Sequence, residues 1–245
     1  MIRKKDSGFR DTVKTVFYAI VIALCVRTFA YEPFNIPSGS MIPTLLVGDY
    51  LFVSKFSYGY SRYSLPLSLP LIPDRIAFTQ PHRGDVAVFK LPSDNKTDYI
   101  KRIVGLPGDR VQVIKGILHL NGKEVKRERV NDFIFRGYSG NTERIARYVE
   151  TLPGGRKYFI LEADGNSGLL DNTPVYTVPK DHVFAMGDNR DQSKDSRFLD
   201  DVGFIPMKNL VGQAKVIFFS IDGSVWKFWE WPFTVRFNRI FTSLD

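Results

Sequence analysis

Residues Arg110–Lys126 read RVQVIKGILHLNGKEVK, and the fold class follows from them. Arg110–Ile114 and Ile117–Leu120 are short β-rich runs, and Lys115-Gly116 and Asn121-Gly122 have the residue types of tight hairpin turns. The stretch therefore reads as a β-meander. On both sides the same grammar continues, with runs at Asp85–Phe89, Tyr158–Leu161, Val175–Val178, His182–Ala185 and Val211–Ser220 punctuated by Gly and Pro. Past residue 31 no long 3.6-residue periodicity appears, so the body is expected to be mainly β.

Three stretches depart from this background. Leu65–Pro73 (LPLSLPLIP) alternates apolar residues with proline, which suits an exposed flap or sheet edge and not a central strand. Residues 123–157 hold nine basic and five acidic side chains and read as a polar insertion. Residues 222–245 hold Trp226, Trp229 and Trp231 beside Phe228, Phe233, Phe237, Arg236 and Arg239. Aromatic rings next to cations suit a membrane interface, and a terminal strand packing its rings on the core accounts for them equally well.

The N-terminus has a different character. Arg3, Lys4, Lys5, Arg10 and Lys14 outnumber Asp6 and Asp11, and an apolar run from Val16 to Val26 follows. That run is short for a membrane span, which needs about 20 residues. It extends from Val13 to Tyr31 if Lys14 and Arg27 reach toward the headgroups. A cleaved signal sequence has the same basic start and apolar run, and Thr28-Phe29-Ala30 imitates its cleavage site, although Arg27 fits badly there. Either reading sends the body across the membrane, with the N-terminus on the positively charged, cytoplasmic side. The expected division is a cytoplasmic basic tail (1–14), a transmembrane anchor (15–31), a β core (32–122 and 158–221), a polar insertion (123–157) and an aromatic-rich C-terminal segment (222–245).

Composition narrows the chemistry. The chain has 245 residues, 44% of them hydrophobic, enough to build a core and to exclude disorder as the main description. Its net charge of +8 suits an anionic partner, either nucleic acid or a lipid surface. Cys25, the single cysteine, lies inside the apolar run, so no internal disulfide and no thiolate metal cage can form. His82, His119 and His182 lack the spacing of a zinc hydrolase.

Three segments have chemical potential. Ile36–Leu45 (IPSGSMIPTL) places Ser38 and Ser40 around a glycine and between two prolines, on a stiff turn; alone, this reads as a solvated loop. A serine nucleophile needs a base, and no histidine has a convincing setting, His182 being the least unsuitable. Tyr99–Asp109 (YIKRIVGLPGD) sets Lys101 and Arg102 among apolar residues, and strand alternation points Lys101 to the face of Ile103. A lysine buried there would lose its proton more readily and could act as a base; the alternative is a pair of surface charges on an edge strand. Met186–Arg197 (MGDNRDQSKDSR) suggests an Asp/Arg network that fixes a loop presenting Ser193. Asp188, Asp191 and Asp195 raise the question of calcium, but no glutamate closes the loop at the known spacing.

Together the segments are more specific than any one of them. PSGSMIPTL (37–45), GDYLFVSKFSYG (48–59), RGDVAVF (83–89), KRIVGLPGD (101–109), GDNRDQSKDSR (187–197) and VGFIPMKNLVGQA (202–214) stand in the order of the boxes of bacterial type I signal peptidase. From residue 32 to about 221 the chain resembles that family of membrane-bound, Ser–Lys serine endopeptidases. The resemblance implies that Ser40 is the nucleophile and that Lys101, neutral at rest, is its base. It implies an oxyanion hole from the Ser40 N–H and the Ser38 hydroxyl, and a Ser193 hydroxyl bonded to Lys101. Asp195 and Arg197 would brace the loop, with Asp188 and Arg102 in support.

The implied fold is a β catalytic core with a smaller β domain, kept on an uncleaved single-span anchor in the cytoplasmic membrane. No metal and no other cofactor is implied. The implied substrates are signal peptides of exported preproteins, cut after small residues at −1 and −3. The Ser38–Leu45 loop and the Asp85–Phe89 strand are expected to line those pockets. The +8 charge then goes to anionic phospholipid and not to nucleic acid, because no helix-turn-helix precedes the body, and the chain is expected to act as a monomer. Two rivals stay open at this level. One is a specialised, conjugation-type processing peptidase with the same dyad; the other is a membrane-anchored binding protein without catalysis.

Overall fold

The computed structural model describes residues 8–65, 68–136 and 142–244. Arg3, Lys4 and Lys5 of the basic tail, Pro66 and Leu67 of the proline-alternating stretch, and residues 137–141 of the charged insertion lie outside the described residues.

A single long helix, α1 (Gly8–Phe29), comes first, and it ends two residues before the expected limit of the anchor because Tyr31 already pairs as a strand. Residues 10–29 have a mean hydropathy of 1.6 and are almost wholly uncovered by the rest of the chain. Twenty helical residues rise about 30 Å, the thickness of a bilayer's hydrocarbon core. At the helix exit Glu32 takes Arg27 at 2.7 Å and the buried Lys55 at 2.8 Å, tying the helix end to the body.

The body is mainly β, as the sequence pattern implies. Its strands are β1 (Tyr31–Asn35), β2 (Asp49–Ser54), β3 (Val86–Lys90), β4 (Asp98–Gly105), β5 (Arg110–Ile114), β6 (Ile117–Leu120), β7 (Lys123–Glu124), β8 (Lys126–Arg136), β9 (Thr142–Thr151), β10 (Lys157–Glu162), β11 (Tyr176–Thr177), β12 (His182–Met186), β13 (Ile205–Pro206), β14 (Leu210–Ser220) and β15 (Thr242–Ser243). An eight-stranded sheet runs β1-β2-β14-β3-β4-β12-β13, with β15 paired to β14. The meander β5-β6-β7 joins β11 in a four-stranded sheet, and β8-β9-β10 form a three-stranded one.

Two placements matter for the site. Strand β4 lies between β3 and β12, so it is central and both of its edges are paired. Lys101, Arg102, Ile103 and Val104, which alternate between its two faces, are all buried, which excludes the reading of an edge strand with surface charges. The three-stranded sheet also has an apolar side. Ile145, Phe133 and Phe135 pack with Leu161 and with Ile42 and Leu46 of the serine loop, so the charged stretch supports that loop from behind.

Candidate active site

The serine loop leaves β1 and returns to β2. Gly48 N–H donates to the Ile36 carbonyl at 3.0 Å, and Leu46 N–H donates to Asp49 Oδ2 at 2.8 Å, closing the loop at its base. Inside it, Ile42 N–H reaches the Gly39 carbonyl and Leu45 N–H the Met41 carbonyl, while Met41 and Leu45 are fully buried as its apolar plug. Two prolines and these turns leave the loop little freedom. Ser40 is thereby held at the edge of β4.

Lys101 meets it there. Its Nζ lies 2.7 Å from Ser40 Oγ and 2.9 Å from the Ile100 carbonyl, with the Tyr99 ring 5.3 Å away. Burial pushes the Lys101 ammonium down to about 8, against the opposing pull of the Asp195 and Asp188 carboxylates. Ser38 is exposed at the rim, its Oγ 3.5 Å from Ser40 Oγ. None of the three histidines is bonded to Ser40. His119 and His182 turn to the carbonyls of Ile117 and Lys180, and His82 is exposed in its turn.

Strand β12 ends at Met186, paired with Arg102, and so delivers residues 187–197 to the back of the dyad. Asp188 grips Arg102 with both oxygens, at 2.8 and 2.7 Å, and takes the Thr44 hydroxyl at 2.5 Å, joining this loop to the serine loop. Asp195 grips Arg197 the same way, at 2.9 Å on each oxygen, and accepts from Gly187 N–H at 2.9 Å. Bidentate pairs of this kind fix angle as well as distance. Burial alone would raise the Asp195 carboxyl, but the Arg197 guanidinium and the Gly187 N–H outweigh it and hold Asp195 below its ordinary value.

Ser193 departs from expectation. Its Oγ is buried and makes no hydrogen bond, because Lys101 turns to Ser40 and Ile100 instead. Asp195 is close enough to feel the Ser193 hydroxyl, but no well-aligned bond joins them. The hydroxyl packs on Gly187, where a Cβ would lie 2.2 Å from Ser193 Oγ and 2.5 Å from the Ser40 carbonyl oxygen. Only glycine lets the two loops approach this closely.

Several residues of the site carry no signal on their own in the sequence. Asn189 N–H donates to the Ser40 carbonyl and its Nδ2 to the Gly39 carbonyl, each at 3.1 Å, so it clamps the serine loop directly. Glu150 of β9 pairs with Arg190 at 3.0 and 2.6 Å and accepts from the Tyr158 hydroxyl, all fully buried. Arg190 also reaches the Gly187 carbonyl, and Arg102 lies 4.1 Å over the Tyr158 ring. Glu150 is one of five acids in a charged stretch, and nothing local distinguishes it.

Beside Ser40 and Lys101 is a cleft of about 610 Å³, lined by Phe34, Ile36, Val88, Tyr99, Ile100 and Gln192. A buried serine hydroxyl, a desolvated lysine amine beside it and an adjoining cleft have the chemistry an acyl-transfer hydrolase requires. Comparison with known proteins agrees. The family described as signal peptidase, peptidase S26, matches residues 9–219.

The chain belongs to the S26 signal peptidase family.

As an S26 peptidase it is a serine-type hydrolase. It is similar to the signal peptidase I of Rickettsia canadensis, 40% identical over 94% of this chain and 92% of that one. It is also similar to that of Rickettsia typhi, 40% identical over 99% and 98% of the two chains. A solved signal peptidase I from Enterococcus faecalis shares 25% identity and a TM-score of 0.32, covering 55% of this peptidase and 97% of its own chain.

Proposed function

We propose that the protein removes N-terminal signal peptides from exported preproteins by Ser40–Lys101 acyl transfer, cutting after small residues at −1 and −3. The observation that carries this reading is the 2.7 Å approach of a buried lysine to a buried serine, with no histidine in contact. The neutral Lys101 amine accepts the Ser40 hydroxyl proton as Oγ attacks the scissile carbonyl carbon. The oxyanion forms beside the Ser40 N–H and the exposed Ser38 hydroxyl, donors placed where negative charge develops. Collapse breaks the C–N bond, and the Lys101 ammonium returns the proton to the leaving amine. A water, deprotonated by Lys101, then releases the signal peptide from Ser40.

With Lys101 near 8, about a tenth of the free protein has the neutral amine at pH 7. A peptide filling the cleft excludes more water and lowers Lys101 further. Asn189, Asp188, Arg102, Asp195 and Arg197 act through position, and Ser193 supports by packing. Ile36, Val88 and Ile100 line the cleft beside Ser40 and Lys101, an apolar wall that supports binding of apolar side chains. Of the strand expected to line the pockets, Val88 is the residue that reaches the cleft.

The apolar length of α1, with Arg10 and Lys14 at its start, supports a cytoplasmic-membrane anchor with the N-terminus inside and the body outside. Trp226, Phe228, Trp229, Phe233 and Phe237 are largely exposed, and they support contact with a lipid surface. We read the working unit as a single chain.

The test is cleavage of a preprotein bearing an Ala-x-Ala site by the detergent-solubilised full chain, with the new N-terminus read by mass. The expected result is a cut directly after the −1 alanine, with leucine at −1 lowering the rate at least about ten-fold. Intact preprotein, or a cut elsewhere, would move the reading to a specialised processing peptidase.

A further inference from the structure

Glu162, Asp171 and Asp191 each bring a carboxylate oxygen to within 4.8 Å of the others. Glu162 ends β10, Asp171 lies in the loop that follows it, and Asp191 lies in the loop of residues 187–197. Glu162 and Asp171 are each about 1% exposed and Asp191 is half-buried, so water has little access to the first two carboxylates. Their other atoms are already committed. Asp191 Oδ2 accepts from the N–H groups of Ala163 and Asp164 at 2.6 and 2.8 Å, and Asp171 Oδ2 accepts from Gly168 N–H at 2.6 Å. Glu162 Oε1 faces Arg127 at 3.4 Å, and Arg127 is shared with the Gly116 carbonyl and Asn166. The nearby Arg190 and Arg197 are engaged by Glu150 and Asp195.

Glu162 Oε2 is left buried with no hydrogen-bond partner, in a cluster of like charge. A second feature marks the same spot. At Gly168 a Cβ would stand 2.7 Å from Asp191 Oδ1 and 3.2 Å from Asp171 Oδ2, so a side chain there would fill the space between these oxygens. An orphaned carboxylate oxygen, two further carboxylates and a gap bounded by glycine are what a hard cation with oxygen ligands requires. We propose that Glu162, Asp171 and Asp191 bind one divalent cation of the calcium class.

The ion stitches the loop of residues 163–171 to the loop of residues 187–197. Asp191 is two residues from Asn189, which clamps the serine loop, and two from Ser193, which packs on Gly187. Calcium fits better than magnesium, because three carboxylates from separate segments make an irregular cage and magnesium demands a near-ideal octahedron.

The experiment strips the full chain with EDTA in a non-ionic detergent and titrates it with calcium chloride, following heat of binding and thermal unfolding. One calcium per chain is expected, with Tm rising by roughly 3–10 °C at ten to a hundred times the dissociation constant. Magnesium chloride should give a smaller shift. Glu162→Gln and Asp171→Asn should each weaken calcium binding at least ten-fold; Asp191→Asn, which keeps an acceptor for Ala163 and Asp164, does the same if folding of the first two suffers. Absence of saturable calcium uptake, or undiminished uptake in all three variants, would overturn the site.

Discussion

Replacing Lys101 with methionine should lower kcat/KM on the order of 10⁴-fold and at the same time make the protein more stable near neutral pH. The loss of rate follows from removing the one base in contact with Ser40. The gain in stability follows from linkage. In the unfolded chain lysine keeps its proton up to its ordinary 10.5, whereas in the fold it gives it up at about 8. Below pH 8 the folded state must therefore hold a buried ammonium. The difference of 2.5 units (10.5 − 8) corresponds to about 3 kcal/mol against folding. That penalty is constant below pH 8 and fades between 8 and 10.5. Methionine, of similar volume and uncharged, escapes it. Unfolding in detergent at pH 6.5 and pH 10.5 measures both ends, and the variant's advantage should be present at the first and gone at the second. Ser40→Ala should lose as much activity with no such pH-dependent gain. A Lys101→Met protein that is less stable than the parent at pH 6.5 would mean that the lysine is well satisfied as an ammonium and a poor base.

The second large effect belongs to a residue remote from the cleft. Glu150→Ala should destabilise the protein by about 3–5 kcal/mol, because it strips the buried Arg190 of its carboxylate and leaves the Tyr158 hydroxyl without an acceptor. Arg190 then has reason to leave the Gly187 carbonyl, and the approach of Gly187 to the Ser40 carbonyl loosens. Activity should fall with stability although Glu150 touches no substrate. Glu150→Gln keeps an acceptor for Tyr158 and the volume, but Arg190 is left uncompensated, so it should recover only part of the loss. Equilibrium unfolding of the two variants beside the parent checks this. A change within about 1 kcal/mol for Glu150→Ala would show that water reaches Arg190 and that the network is not closed.

The contrast between Lys101 and Glu150 shows what the chain discloses before it folds. The strands at Asp85–Phe89, Arg110–Ile114, Ile117–Leu120 and His182–Ala185 are legible because apolar runs and Gly-containing turns are local signals, and the observed strands fall on them to within a residue or two. Lys101 is legible because its neighbours are apolar and its alternation with Ile103 points inward. Arg102 is not legible from its own stretch, since its burial depends on Tyr158 over its guanidinium and on Asp188, 86 residues away in sequence. The same holds for Glu150, whose partner Arg190 is 40 residues away, and for Asn189, whose contacts with Gly39 and Ser40 cross 150.

The C-terminal segment is a further case. Its aromatic rings draw attention in the sequence, yet two of its arginines meet the serine loop. Arg239 reaches Asp49 at 2.5 Å and the Thr44 carbonyl at 2.9 Å, and Arg236 reaches the Val47 carbonyl at 3.0 Å. Charge pairs across nearly 200 residues have no local signature, so the segment's part in holding the serine loop emerges only in the fold.

The central claim is that a desolvated Lys101 is the base for Ser40, and the pH dependence of kcat/KM on a preprotein substrate tests it most directly. Measured from pH 5.5 to 10 with the detergent-solubilised chain, kcat/KM should climb about ten-fold per unit on the acid side and level off above a midpoint near 8, where the free protein's Lys101 releases its proton. A profile that peaks near pH 5, or one flat across neutrality, would contradict a lysine base and return the search to another partner for Ser40.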